Sequence, residues 1–224
     1  MGIDNDKINK RIAEMKYDTY PIDRMLPLAT VYKLFSEEYN KSVDKSIFFK
    51  KRKYQRLREG YFSLFVAVLL SKISGCNYFI HFPEEAGNDV NILSVKDEGG
   101  TKPVFWKLVC DVKEFTHYSS SFDEFVQRTI VPKIRAKSYH LIIGNHQGIE
   151  GSDLESLVKL SSKEMTIWVV SAYSPKGDDC NSGVVTVLQG RDMVSQYKID
   201  LSKNIVINGD PMIIYQDVLR DKMC

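Results

Sequence analysis

No C-x-x-C pair, no H-E-x-x-H run and no apolar stretch approaching 20 residues occurs in this 224-residue chain. Its four cysteines, Cys76, Cys110, Cys180 and Cys224, stand at long, irregular spacings. That pattern excludes both a zinc ribbon and a disulfide framework, and leaves the thiols as small apolar residues. The longest apolar run, Tyr61 to Leu70, is interrupted by Ser63 and followed by Lys72. A membrane span needs about 20 such residues, so none is expected here. The first residues, Met1 to Lys7, carry no apolar secretory segment, and the expected location is the reducing cytosol. Net charge is also scarce: 31 basic against 29 acidic residues give +2, so a polyanion-binding surface has to be local. Neither G-x-x-x-x-G-K-[ST] nor G-x-G-x-x-G is present, which removes the common nucleotide-binding loops.

What is present is an ordinary globular composition, 43% hydrophobic and 27% charged, in a length that suits one α/β domain. Residues 1–58 read as a helical and basic extension packed on a core that spans 59–224. Within the extension, Leu28, Val31, Leu34 and Phe35 recur at helical spacing. The most basic stretch follows, from Lys41 to Arg58, with Phe48, Phe49 and Tyr54 interleaved and Asp44 alone opposing it. Lys50, Lys51, Arg52, Lys53 and Arg56 are its candidate phosphate contacts; a solvated helix face is the plainer reading.

Glu59 to Lys72 is apolar nearly all round, as a helix buried within a layered domain must be, and Gly75 provides its stop. Strand-like segments cover Asn77 to Phe82, Asp89 to Val95 and Pro103 to Phe115. The turn-rich Lys96 to Lys102 joins the last two as an antiparallel hairpin. Ser121 and Glu124 form a capping box for a helix with Phe122, Phe125, Val126 and Ile130 on one face, which Pro132 is expected to end or kink. Strands at Tyr139 to Gly144 and Thr166 to Ala172, with a helix at Ser152 to Leu160 between them, point to parallel pairing. The remainder offers short strand candidates at Val184 to Leu188 and Asn204 to Tyr215.

The chemistry concentrates in Asp111-Val112-Lys113. A strand's period of two sends Asp111 and Lys113 to the same face, which they share with Val109 and Phe115. An acid and an amine emerging from an apolar surface need a partner, a metal or a substrate to offset desolvation. Counting back from the hairpin turn, Asp89 lies about as far from it as Asp111 does, so the two carboxylates should be neighbours. Two converging carboxylates beside a lysine can bind Mg²⁺, or Mn²⁺, through oxygen and stabilise charge developing on a phosphorane. The lysine would position or help deprotonate the attacking water. The plainer readings are a surface ion pair for Asp111 and Lys113 and a turn residue for Asp89.

The order helix, three strands, helix, strand, with an acid opening the second strand and Asp-x-Lys in the third, resembles the PD-(D/E)XK nuclease superfamily over roughly Glu59 to Gly144. The resemblance implies an αβββαβ restriction-endonuclease-like core, a central mixed sheet flanked by helices with an N-terminal helical and a C-terminal β extension. It implies Mg²⁺-dependent phosphodiester hydrolysis, with Asp89 and Asp111 as metal ligands and Lys113 as catalytic lysine. It adds Glu59 as a ligand from the first helix, where an acid is also favoured by the helix dipole. Gln127 and Lys133, on the helix after the Asp-x-Lys strand, would face the substrate. Asn88 stands where the motif's proline would be, and Glu84, after Pro83, competes with Asp89 for the first acid.

The expected function is therefore a DNA endonuclease of restriction type acting on double-stranded DNA. Cutting both strands calls for two sites and hence a homodimer. An RNA-cleaving endonuclease with the same metal core, a non-catalytic nucleic-acid-binding protein of the same fold, and an unrelated enzyme acting on a small phosphorylated substrate are the alternatives.

Overall fold

The computed structural model describes residues 25–43, 48, 51–83, 88–96, 104–115, 121–135, 140–146, 149, 151–161, 165–172, 180–190 and 192–205. Lys50 and Glu84 lie outside them, as do 206–215 of the last expected strand. The architecture is α/β, built on one eight-stranded mixed sheet.

Helix α1 (Leu28–Lys41) buries Val31, Phe35 and Tyr39, the stripe expected of an amphipathic helix. It lies over helix α2 (Gln55–Ser74), which is buried on every side from Arg58 to Leu69 because α1 covers one flank and the sheet the other. That double cover is why α2 shows no polar stripe. Gly75 ends it at φ 70°, its N–H donating to Ser71 O at 2.8 Å, a left-handed turn that suits glycine. The helix starts at Gln55 rather than Glu59, so Arg56 and Arg58 belong to its first turns.

The sheet order follows the chain order: β1 (Leu26–Pro27), β2 (Tyr78–His81), β3 (Val90–Lys96), β4 (Val104–Phe115), β5 (His140–Asn145), β6 (Thr166–Ser171), β7 (Ser182–Gln189) and β8 (Asp192–Asp200). Pairing is antiparallel from β1 to β4, parallel from β4 to β6, and antiparallel again to β8. The segment before α1 was expected to be helical; instead Leu26 and Pro27 pair with Ile80 and Phe79 at the edge of the sheet, where a proline's missing donor is tolerated. Strand β8 was not expected. Its exposed Gln196 and Lys198 alternate with Tyr197 and buried Ile199, and Gly190 turns the β7–β8 hairpin at φ 69°. At the place assigned to a final strand, Asn204 instead closes a short helix, α6 (Leu201–Asn204).

Two cores flank the sheet. One joins α1 and α2 to Ile80, Val90, Ile92, Cys110, Val112 and Ile142. The other packs Phe115, Leu141, Ile143 and Ile167 under the crossover helices. Helix α2 sits close on the sheet at Gly144, where a Cβ would run into the Phe62 ring. The first crossover runs α3 (Phe122–Phe125), a π-helical turn (Val126–Ile130) and α4 (Val131–Arg135), and the second is α5 (Gly151–Leu160). The Ser121 hydroxyl accepts from Glu124 N at 3.1 Å, the cap that its sequence signature promised. Pro132 does not end the helix. It lacks an N–H and crowds the carbonyl four residues back, and the widened turn just before it accommodates this while the chain stays helical to Arg135.

Candidate functional site

The site forms where two strands of unequal length part. In the register Val90↔Cys110, β3 begins opposite Cys110, whereas β4 runs on to Phe115, with Asp111 to Phe115 paired to β5 alone. Asp89 occupies the next position of that register, opposite Asp111. Its N–H donates to Cys110 O at 3.1 Å, the last rung of the ladder. Past this rung the Val112 N–H has no strand to bond, and Asp89 Oδ2 accepts it at 2.8 Å. The same oxygen accepts from Lys113 Nζ at 2.7 Å.

Lys113 links the acids. Its ammonium is also 3.7 Å from Asp111 Oδ1 and donates to Val112 O at 3.0 Å. Asp111 is 1% exposed, and its Oδ2 makes no hydrogen bond although Lys133 Nζ stands 2.8 Å away. That contact is a meeting of charges without hydrogen-bond alignment. Asp89, Asp111 and Lys113 thus come together as their spacing suggested, and Lys133 reaches Asp111 from α4. Gln127 lies exposed in the π-helical turn.

Glu59 is buried on α2, held by Gln55 Nε2, which donates to Oε1 at 2.8 Å. Burial raises its pKa above the ordinary 4.5; Asp89 and Glu114 push the same way, while Gln55 and Lys113 oppose. Glu59 therefore lies within the electrostatic reach of the Asp89–Lys113 pair. Because the folded chain holds this proton more tightly than the unfolded chain, Glu59 favours folding below pH 4.5 and loses that contribution as pH rises toward its raised value. Glu59→Gln should therefore melt higher than wild type at pH 7, the gap closing by pH 4. Thermal melts across that range check it, and a gap independent of pH would contradict it.

A second polar cluster lies on the opposite face of β4. Arg58 Nε is 2.9 Å from both oxygens of Glu114, and His146 Nε2 donates to Glu114 Oε2 at 3.0 Å. Arg58 also donates to Phe48 O at 3.0 Å and Lys51 O at 2.9 Å, tying the basic segment to the end of β4. Arg58 had counted as part of a basic run, and neither Glu114 nor His146 had been singled out. The alternation that sends Lys113 one way and Glu114 the other could have found Glu114. Lys51, Arg52, Lys53 and Arg56 are exposed, with Lys53 Nζ 4.4 Å from the Tyr54 ring centre and Arg56 donating to Pro83 O. Cys110, beside Asp111, is fully buried, and burial pushes its thiol up, so it packs as a neutral group.

Among the described residues, no three His, Cys, Asp or Glu side chains converge as a ready metal cage. The donor set nonetheless fits a hard divalent cation. The carboxylates of Asp89 and Asp111 already share one cation, the Lys113 ammonium, and buried Asp111 Oδ2 is without a hydrogen bond. No protein-family model, curated protein or solved structure matches this chain.

Proposed function

We propose that this chain is a Mg²⁺-dependent nuclease that hydrolyses nucleic-acid phosphodiesters at Asp89, Asp111 and Lys113, acting on duplex DNA as a restriction-type endonuclease. One observation carries the reading: two carboxylates from adjacent strands share a lysine ammonium where β3 stops and β4 continues. The surrounding order of a buried helix, three antiparallel strands, a crossover helix and a parallel strand supports it, being the arrangement that the PD-(D/E)XK resemblance calls for.

Asp89 and Asp111 would hold the metal; Glu59, expected as a further ligand, does not converge with them and would act only through its charge. What a divalent ion would supply there is Lewis-acid polarisation of a phosphoryl oxygen and a more acidic water. Lys113, held by Asp89 and the Val112 carbonyl, would orient the attacking water and offset negative charge as it develops. The exposed Lys51 to Arg56 segment would track the phosphate backbone. Cutting both strands requires two such sites, hence a homodimer. Among the described residues no helix is long and apolar enough to cross a membrane.

The test is nicking of supercoiled plasmid DNA, in parallel with cleavage of a labelled RNA, in Mg²⁺ or Mn²⁺ and in EDTA. Metal-dependent DNA nicking supports the reading as stated, and cleavage confined to RNA moves the substrate to RNA. Metal-independent binding without cleavage would replace the enzyme with a binding module.

A further inference from the structure

Lys133 approaches Asp111 from outside the strand that carries the motif. It lies on α4, just after the π-helical turn over Val126–Ile130. Its ammonium sits 2.8 Å from Asp111 Oδ2, the oxygen that makes no hydrogen bond.

The two lysines at Asp111 differ in exposure and in how they meet its carboxylate. The Lys113 side chain is 21% exposed and anchored by Asp89, by the Val112 carbonyl and, at longer range, by Asp111. The Lys133 side chain is 39% exposed at the end of a flexible four-carbon stem, and its contact with Asp111 lacks hydrogen-bond alignment. The charge count also matters. The formal charges of Asp89 and Asp111 are matched by those of Lys113 and Lys133, so a divalent ion entering with both lysines in place would meet two ammonium groups, and departure of one relieves that repulsion.

We infer that Lys133 is a displaceable counter-ion of Asp111: it occupies the carboxylate in the resting protein, competes with a divalent cation for it, and swings toward solvent when the cation binds. The inference rests on the metal-dependent reading above and adds a regulatory function for a residue outside the Asp-x-Lys motif. Affinity for the ion is then set partly by Lys133, and the released ammonium becomes available at the mouth of the site for a substrate phosphate.

Calorimetric titration of the full chain with MnCl₂ tests it without reference to activity. Lys133→Met should bind Mn²⁺ about 5–30-fold more tightly than wild type, the ratio that corresponds to one or two kcal/mol. Lys133→Arg, which keeps the charge, should return affinity toward the wild-type value. In unsubstituted protein, an amine-reactive acylating reagent read by mass spectrometry should modify Lys133 faster once Mn²⁺ is added, a measurement that holds even if a variant folds poorly. Equal or weaker binding by Lys133→Met, or unchanged labelling of Lys133 in protein that does bind Mn²⁺, overturns the inference alone. No Mn²⁺ binding by either protein overturns the inference together with the metal-dependent nuclease reading.

Discussion

Asp111→Asn is expected to lower Mg²⁺-dependent nicking by about 10³-fold or more, the scale of losing a principal transition-state electrostatic contact. Asparagine matches the shape of aspartate, so β4 keeps its packing at a position that is 1% exposed. What disappears is the charge that a metal would need and that Lys113 and Lys133 approach at 3.7 and 2.8 Å. The fold should survive, because both lysines retain access to water, at 21% and 39% exposure, and can be hydrated once their shared partner is neutral. The melting temperature should accordingly move by no more than about 4 °C, the equivalent of roughly 1 kcal/mol in a chain of this size. Initial nicking rates measured beside thermal melts separate the two effects. A variant that melts normally and nicks within tenfold of wild type would remove Asp111 from the site.

Glu114→Ala should do the reverse, costing about 3–5 kcal/mol of stability by leaving a guanidinium buried without its counter-charge. Arg58 and Glu114 side chains are 7% and 14% exposed, and Arg58 cannot give up its proton to escape the penalty. Its remaining bonds, to the carbonyls of Phe48 and Lys51, supply dipoles and no negative charge. The urea midpoint should fall with little change in slope. The double variant Arg58→Met with Glu114→Leu should recover much of the loss, since apolar replacements of similar volume remove the desolvation penalty along with the pair. A Glu114→Ala loss below about 1 kcal/mol would mean the pair is screened like a surface bridge.

The elements around the site were legible in the sequence because their patterns are strong. Strands β2 to β6 alternate or run apolar between turn residues, and α2 is marked by its unbroken apolar length and by Gly75. Opposition of Asp89 and Asp111 followed from counting outward from the turn, since register in a hairpin is an arithmetic property. The burial of Arg58 was not legible: a basic residue amid other basic residues looks solvated until β4 delivers Glu114 to it from 56 positions away. The face that carries Lys133 was legible, three residues after Ile130 and seven after Val126, but its contact with Asp111 depends on how the crossover docks on the sheet, which spacing alone does not give. Strand β8 was missed because its register shifts by one, leaving Met193 and Val194 adjacent ahead of Tyr197 and Ile199 and breaking the alternation.

The sheet order has a consequence for how this protein comes into being. Every described strand pairs with its predecessor in the chain, so a growing polypeptide never has to leave a gap in the sheet for a later segment to fill. Each new strand meets an edge already laid down, which limits the time an unpaired edge is open to other chains. Asp89 and Asp111 would be brought together as soon as β4 docks, while the helix bearing Lys133 is synthesised later. During synthesis the acidic pair would therefore form first, with Lys113 as its early counter-charge, and the second lysine would arrive only when the crossover closes over the finished half of the sheet.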